Sequence, residues 1–282
     1  MPNLYVIATP IGNLEDISAR ALRLLGEVAV IASEDTRTTR KLLTHFGIRT
    51  RLLSFQEHNA AARIPQLLQT LADHDVALVS EAGTPGVSDP GASLVAAATA
   101  QGATVIPVPG PSAVTAAVSA SGFSGDRFRF IGWPPRRAAD RRRAFEAHAA
   151  ETDTLVALES PRRVLATLAA MLAAWGDRRV AVCRELTKLH EEVFHGTLQD
   201  ALDHFTEPRG EFTLVIEGAS PSKPADTAVA TDDARRQLAM HRAEGLTARD
   251  AVAAVVRATG LPRRAVYALW LEFAGDTEDG ET

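Results

Sequence analysis

At 282 residues, 46% hydrophobic and 23% charged, the chain is long enough for two cored domains and has the balance of a soluble globular protein. Its net charge of −5 (30 Lys and Arg against 35 Asp and Glu) gives no global attraction to nucleic acid, so any such binding has to come from local basic patches. The single cysteine, Cys183, excludes an intrachain disulfide and fits a reducing cytoplasm, no amino-terminal signal pattern is visible, and charges interrupt every apolar run short of the ~20 residues of a membrane span.

Residues 1–120 alternate short apolar runs with helical patterns, as βα units do. Residues 4–8 are expected to form a strand, followed by T-P-I-G-N-L-E-D-I-S at 9–18 and a helix ending near Gly26. The next strand is 28–32, and S-E-D-T-R at 33–37 opens a helix through Phe46 with Ser33 as its cap. A short strand at 51–55 precedes a helix to about Asp73. Strand 75–79 then enters S-E-A-G-T-P-G-V-S-D-P-G (80–91), and strand 103–106 enters V-P-G-P-S-A (108–113). Each of these loops opens onto an alanine-rich helix, the place where α/β sheets hold nucleotide-like ligands. Glycine lets the backbone approach a ligand and proline sets its path. Two such loops in succession suggest one pocket wall, with Asp89 read as a turn or helix-cap residue rather than a proton acceptor.

A linker at 121–126 starts a second α/β domain, 121–220, with strands at 128–132, 154–158, 179–183 and 212–216 and helices near 138–149 and 163–175. A Pro/Ser/Lys stretch at 220–224 marks another boundary. Residues 225–274 then read as a helix-turn-helix-like segment of three helices (234–243, 248–259 and 263–273), with the turn Gly260-Leu261-Pro262 between the last two. The acidic tail, 275–282, is expected to be disordered.

Several chemistries are excluded by what is missing. There is no G-x-x-x-x-G-K-[ST], the amino-terminal A-T-P-I-G-N lacks G-x-G-x-x-G, and no G-x-S-x-G elbow occurs. His190-Glu-Glu-Val-Phe-His195 places its histidines five apart, on different faces of a helix, where a zincin helix needs four. No dedicated metal site is expected. The chemistry left is one that needs neither a metal nor an activated side-chain nucleophile.

The ordered set T-P-I-G-N-L, S-E-D-T-R, the two Gly/Pro loops, E-S-P (159–161) and C-R-E-L-T-K (183–188) resembles a known family. It is similar to the small-subunit ribosomal RNA methyltransferase I family, cytidine 2′-O-methyltransferases within the tetrapyrrole methylase superfamily. The likeness runs from Leu4 to about Gly218, and the helical tail resembles that family's carboxyl-terminal helix-turn-helix segment. The resemblance implies an S-adenosylmethionine-dependent methylase of two α/β domains with the cofactor in the cleft between them. It also implies a cytoplasmic homodimer whose substrate is a cytidine in the decoding region of small-subunit ribosomal RNA, free or in the 30S subunit. Carried onto this chain, it puts the cofactor against Pro10, then Gly83, Thr84, Pro85, Val87 and Ser88, then Ser112 and Ala113, with Leu158 and Thr213 closing the pocket. Members acting on tetrapyrroles usually show G-D-P where this chain has Gly83-Thr84-Pro85, which favours the RNA branch.

Methyl transfer from a sulfonium is an in-line displacement, so alignment supplies most of the acceleration. A ribose hydroxyl is barely acidic, and a general base or a desolvating pocket helps it react. Candidates are Glu34 and Asp35, with Arg37 beside them, and His58; each also reads as an ordinary helix-start or surface residue. Arginine's planar fork suits phosphate, which makes Arg136, Arg137, Arg141, Arg142, Arg143, Arg162, Arg163 and Lys188 the expected RNA-facing set, with Arg249, Arg257, Arg263 and Arg264 as candidates in the tail. Such runs are equally often solvated helix faces. Two other readings stay open: a porphyrinoid or diphthine-type methylase of the same fold, and a non-catalytic ribosome-associated RNA-binding protein.

Overall fold

The computed structural model describes residues 2–220, 224–259, 261 and 263–275, and the chain forms two compact units, Met1–Ala219 and Ser220–Thr282. The first unit opens with β1 (Asn3–Ile7), α1 (Ala19–Glu27), β2 (Val30–Ser33), α2 (Thr36–His45), β3 (Arg51–Ser54), α3 (Ala60–Leu71), β4 (Val76–Val79), α4 (Ala92–Ala100) and β5 (Thr104–Val108). The strands make one parallel sheet in the order β3-β2-β4-β1-β5. Its side chains alternate between two cores: Leu4, Val30, Ala32, Val76 and Leu78 on one face, Ile7, Ile31, Ala77 and Val79 on the other. Burial on both faces is why these strands read as short unbroken apolar runs. The order also makes β2, β4, β1 and β5 consecutive neighbours pointing one way. Loops far apart in sequence therefore leave the same carboxyl edge, where such sheets bind ligands.

Next come α5 (Ala113–Ser121), β6 (Phe128–Gly132), α6 (Ala138–Glu146), β7 (Thr154–Glu159), α7 (Val164–Trp175), β8 (Arg179–Arg184), β9 (Glu192–Thr197), α8 (Leu198–His204) and β10 (Phe212–Ile216). These strands form a mixed sheet, β6-β7-β10-β8-β9, in which only β6 and β7 pair in parallel. One face packs on α6, α7 and α8 around Phe145, Leu168, Met171 and Trp175. The other receives Val114 and Ala117 of α5 against Val156, Ala181, Cys183 and Val215. The carboxyl ends of β6, β7 and β8 and the amino end of β10 share one edge.

One expectation, the Ser33 cap, needs correction, and β9 and α8 are elements the sequence pattern did not indicate. The segment 190–195 is no helix: Glu192–Thr197 is the edge strand β9, with Phe194 opposite Val182 and His195 opposite Ala181, so helical histidine spacing does not apply. Its half-buried, largely polar composition hid the alternation. The capping box of Thr197 and Asp200 then starts α8, also unanticipated. Ser33 is not the cap of α2 either. Strand pairing runs through Ser33 (opposite Ser54 and Val79), and its buried Oγ meets Thr39 Oγ1 at 2.7 Å. Asp35 caps instead, accepting from the Arg37 N–H at 2.7 Å.

The second unit holds α9 (Pro224–Ala243), which starts ten residues earlier than the periodicity indicates, α10 (Ala248–Thr259) and α11 (Arg263–Gly275). Ala234, Leu238, Val252, Val255, Val266 and Leu269 form its core, with Leu246, Val256, Leu261 and Trp270 packed against it. Gly260 and Pro262 of the turn, and the acidic tail beyond Gly275, lie outside the described residues.

Candidate active site

A cleft of about 540 Å3 lies where the carboxyl edge of the first sheet meets the second sheet, a size that suits a nucleoside-sized ligand. Its first wall is backbone. Thr9 and Gly83 exchange two hydrogen bonds of 2.9 Å, joining the loop after β1 to the loop after β4. Thr84 Oγ1 donates to the Pro111 carbonyl at 3.2 Å, joining the β4 loop to the loop after β5. Pro85 is buried at the corner of a turn closed by Val87 N–H on the Thr84 carbonyl, 3.3 Å. Gly83 sits at φ +83, a conformation glycine adopts at no steric cost. Ser88 holds φ +64 with a side chain, and such outliers gather at ligand sites.

The second wall is fastened by charge. Lys188 Nζ lies 2.8 Å from both Glu185 Oε1 and Glu211 Oε2, and Glu185 also accepts the Glu211 N–H at 2.9 Å. Partial burial disfavours the ammonium, but these two partners outweigh it and raise Lys188 above its usual range; the same hydrogen bond holds Glu185 below its own. This wall reaches the first through Asn13 N–H on Thr187 Oγ1, 3.0 Å. Gly12 permits that approach, since a Cβ there would lie 2.7 Å from Thr187 Oγ1 and 2.9 Å from the Leu186 carbonyl.

Of the residues singled out in the sequence, Pro10, Gly83, Thr84, Val87, Ser88, Ser112, Ala113, Leu158, Thr213, Glu34 and Lys188 line the cleft. Pro85 supports it from within the loop. Asp35, Arg37 and His58 do not line it. Asp35 is held at about 2 by its hydrogen bonds with Arg37, which pairs with it at 2.9 Å. Glu34 accepts the Glu81 N–H at 3.3 Å. Among the arginines, Arg163 faces inward, paired at 3.0 Å with the fully buried Glu159 and bonded to the Pro134 carbonyl. Arg142 and Arg143 pair with Glu146 and Asp140 of their own helix, and Arg141 turns back to the Pro135 and Arg136 carbonyls. Arg136, Arg137 and Arg162 are exposed and form no ion pair among the described residues; Arg162 lines a separate shallow groove with Pro161 and Gly210.

Three features escaped the sequence reading. Asp89 lines the cleft and does not cap α4, whose N-cap is Gly91. Burial, then the charges of Glu34 and Glu81, push its carboxyl up to about 6. Trp133, half exposed, stands on the same cleft. On α2, beside the cleft-lining Thr38, Arg40 and Lys41 are exposed and unpaired among the described residues. No group of three or more His, Cys, Asp or Glu among the described residues could hold a metal ion, and no helix among them is long and apolar enough to cross a membrane.

Residues 3–202 match the tetrapyrrole (corrin/porphyrin) methylase family, so the chain belongs to a family of methyltransferases. The fold agrees: uroporphyrin-III-C-methyltransferase from Thermus thermophilus superposes with a TM-score of 0.53 at 21% identity, covering 77% of this chain and 94% of that one. Residues 228–274 match the RsmI C-terminal HTH domain. A protein of Synechocystis named ribosomal RNA small subunit methyltransferase I is 45% identical over 97% of this chain and 99% of its own length. A Thermotoga maritima protein of the same name is 47% identical over 77% of this chain and 99% of its own length. The chain is a member of the ribosomal RNA small subunit methyltransferase I family.

Proposed function

We propose that the chain transfers a methyl group from S-adenosylmethionine to the ribose 2′-hydroxyl of a cytidine in the decoding region of small-subunit ribosomal RNA, in the cytoplasm and as a homodimer. The observation that carries this reading is the cleft itself. Three loops from adjacent parallel strands present backbone groups to a space lined by four carboxylates, Glu34, Glu81, Asp89 and Glu211, against one lysine already bonded to two acids. That balance suits a ligand with positive charge, as a sulfonium bearing an ammonium group is, and repels a phosphate. Thr9 Oγ1, buried without a partner next to cleft-lining Pro10, adds an unsatisfied polar atom beneath the loops. The residues therefore fit the donor.

When bound, the donor supplies an electrophilic methyl group whose departure leaves a neutral thioether. The chain's part is to hold and orient it: Pro10, Gly83, Thr84, Val87 and Ser88 from the first wall with Ser112 and Ala113, and Leu158 and Thr213 from the second. RNA phosphates stay at the rim. Arg40 and Lys41 of α2 and the exposed Arg136, Arg137 and Arg162 offer cations with no ion pair among the described residues, and the helical unit, taken by itself, exposes Arg249, Arg257, Arg263 and Arg264. The family's helical segment and the relatives' names support RNA over a porphyrinoid. Purified protein given methyl-labelled S-adenosylmethionine is expected to label small ribosomal subunits or their RNA, with the label mapping to a cytidine ribose. Label on a tetrapyrrole and none on RNA overturns the reading. Sedimentation of the purified chain checks the dimer.

A further inference from the structure

The donor reading accounts for the Gly/Pro loops but leaves Asp89 and Trp133 without a task. Both line the cleft. They also stand together: a Cβ built at Gly132, the residue before Trp133, would lie 4.0 Å from Ser88 Oγ, the residue before Asp89. Trp133 is 51% exposed, an unusual state for the largest apolar side chain, and the partly exposed Leu14 and Val87 line the same cleft. The main chain that carries the indole is anchored. Arg163, anchored by buried Glu159, bonds the Pro134 carbonyl directly behind it. An exposed aromatic ring on a fixed backbone, beside a carboxylate in a cleft, is the arrangement that receives an unstacked nucleobase with its sugar.

We propose that Trp133 and the Ser88–Asp89 segment form the acceptor subsite of the cleft, Trp133 stacking the target nucleobase and Asp89 taking the ribose hydroxyl proton. The inference rests on the ribose-methylation reading above. The step balances within the named groups. The O–H bond breaks with its proton going to the Asp89 carboxylate, the oxygen bonds the methyl carbon, and the carbon–sulfur pair stays on sulfur as a neutral thioether. Asp89 forms no ion pair among the described residues; Glu34 and Glu81 face it from the loops after β2 and β4. Across the cleft Lys188 and Glu211 neutralise each other. A carboxylate crowded by like charge and partly buried is ionised at neutral pH yet more basic than a surface aspartate, which is what a general base needs.

Three kinds of measurement, of binding, of turnover and of stability, test the subsite on the full chain. In a Trp270→Phe background, where the other remaining tryptophan, Trp175, is buried, a short single-stranded oligocytidylate is expected to quench fluorescence, and Trp133→Ala should abolish that quench. Trp133→Ala should weaken oligonucleotide binding about tenfold or more while S-adenosylmethionine affinity by calorimetry is unchanged. Asp89→Asn should lower kcat by about two to four orders of magnitude with KM for RNA and donor affinity preserved, and wild-type kcat/KM should fall on the acid side with an apparent pKa near 6. The third readout needs no turnover. Because the Asp89 carboxyl titrates higher folded than unfolded, wild-type stability falls as pH rises from 3.8 through about 6, and Asp89→Asn removes that fall. The Asn variant should therefore melt higher than wild type at pH 8. Loss of donor affinity in Trp133→Ala with intact oligonucleotide binding overturns the stacking role, and full kcat in Asp89→Asn overturns the base. Wild-type protein that labels no RNA brings down the proposed function and this subsite with it, whereas an active wild type with indifferent variants brings down the subsite alone.

Discussion

The two walls of the cleft are made by different means. The first sheet contributes main chain: its loops are stitched by the Thr9–Gly83 bridge and the Thr84–Pro111 bond, and their path is set by Gly and Pro. The second contributes clamped side chains, Glu159 with Arg163 and Lys188 with Glu185 and Glu211. The same contrast runs through their charges. The second half is rich in arginine, but Arg127, Arg129, Arg142, Arg143, Arg163, Arg179 and Arg184 each meet a carboxylate, while Arg40 and Lys41 on α2 of the first half have no ion-pair partner among the described residues. A count of cations along a chain therefore measures the charge present and not the charge available to a phosphate.

The contrast is broken most directly at the buried clamp. Glu159→Ala strands Arg163 and frees the loop behind Trp133, and should cost about 3 kcal/mol of stability in denaturant titration; a loss below about 0.5 kcal/mol would mean that the wall does not depend on the pair. On the first wall, Gly83→Leu forces a branched side chain into φ +83 at the loop junction. S-adenosylmethionine affinity should fall about a hundredfold, ~2.7 kcal/mol, by calorimetry, and an unchanged value would move the donor off this loop. Removing both α2 cations, Arg40→Ala with Lys41→Ala, should weaken RNA binding and reduce the slope of log affinity against log salt by about 2. The triple change of Arg141, Arg142 and Arg143 to Ala should reduce that slope by about 1 or less, because two of the three already have carboxylate partners. A steeper loss at α6 than at α2 would reverse the comparison.

The parallel half was open to reading because strands buried on both faces print their position as unbroken apolar runs, and Gly and Pro mark the loops between them. The individual residues on those loops came from the family resemblance rather than from the pattern, and most of them line the cleft. The second sheet was less legible at its edge. In β9 the half-exposed strand mixes Glu, His and Thr with Val and Phe, so neither period stands out. Asp89 and Trp133 escaped for another reason. Asp89 follows Ser88 in a loop where an Asp-Pro pair has an ordinary turn explanation, and Trp133 meets it only through the packing of β6 against the β4 loop. Pairing of Arg142 and Arg143 within their own helix is visible at i,i+3 and i,i+4 spacing, but the inward turn of Arg163 depends on the fold.

The lone thiol is the feature with the most practical consequence. Cys183 lies in β8 opposite cleft-lining Thr213 of β10, and burial, with Glu191 nearby, pushes it up to about 11. It is 1% exposed, packed against α5, so an alkylating reagent meets it only when that packing opens. The chain thereby carries its own clock, placed under the floor of the cleft. With excess donor, the rate of alkylation should drop by the factor one plus donor concentration over its dissociation constant, which reads occupancy of the site without any turnover.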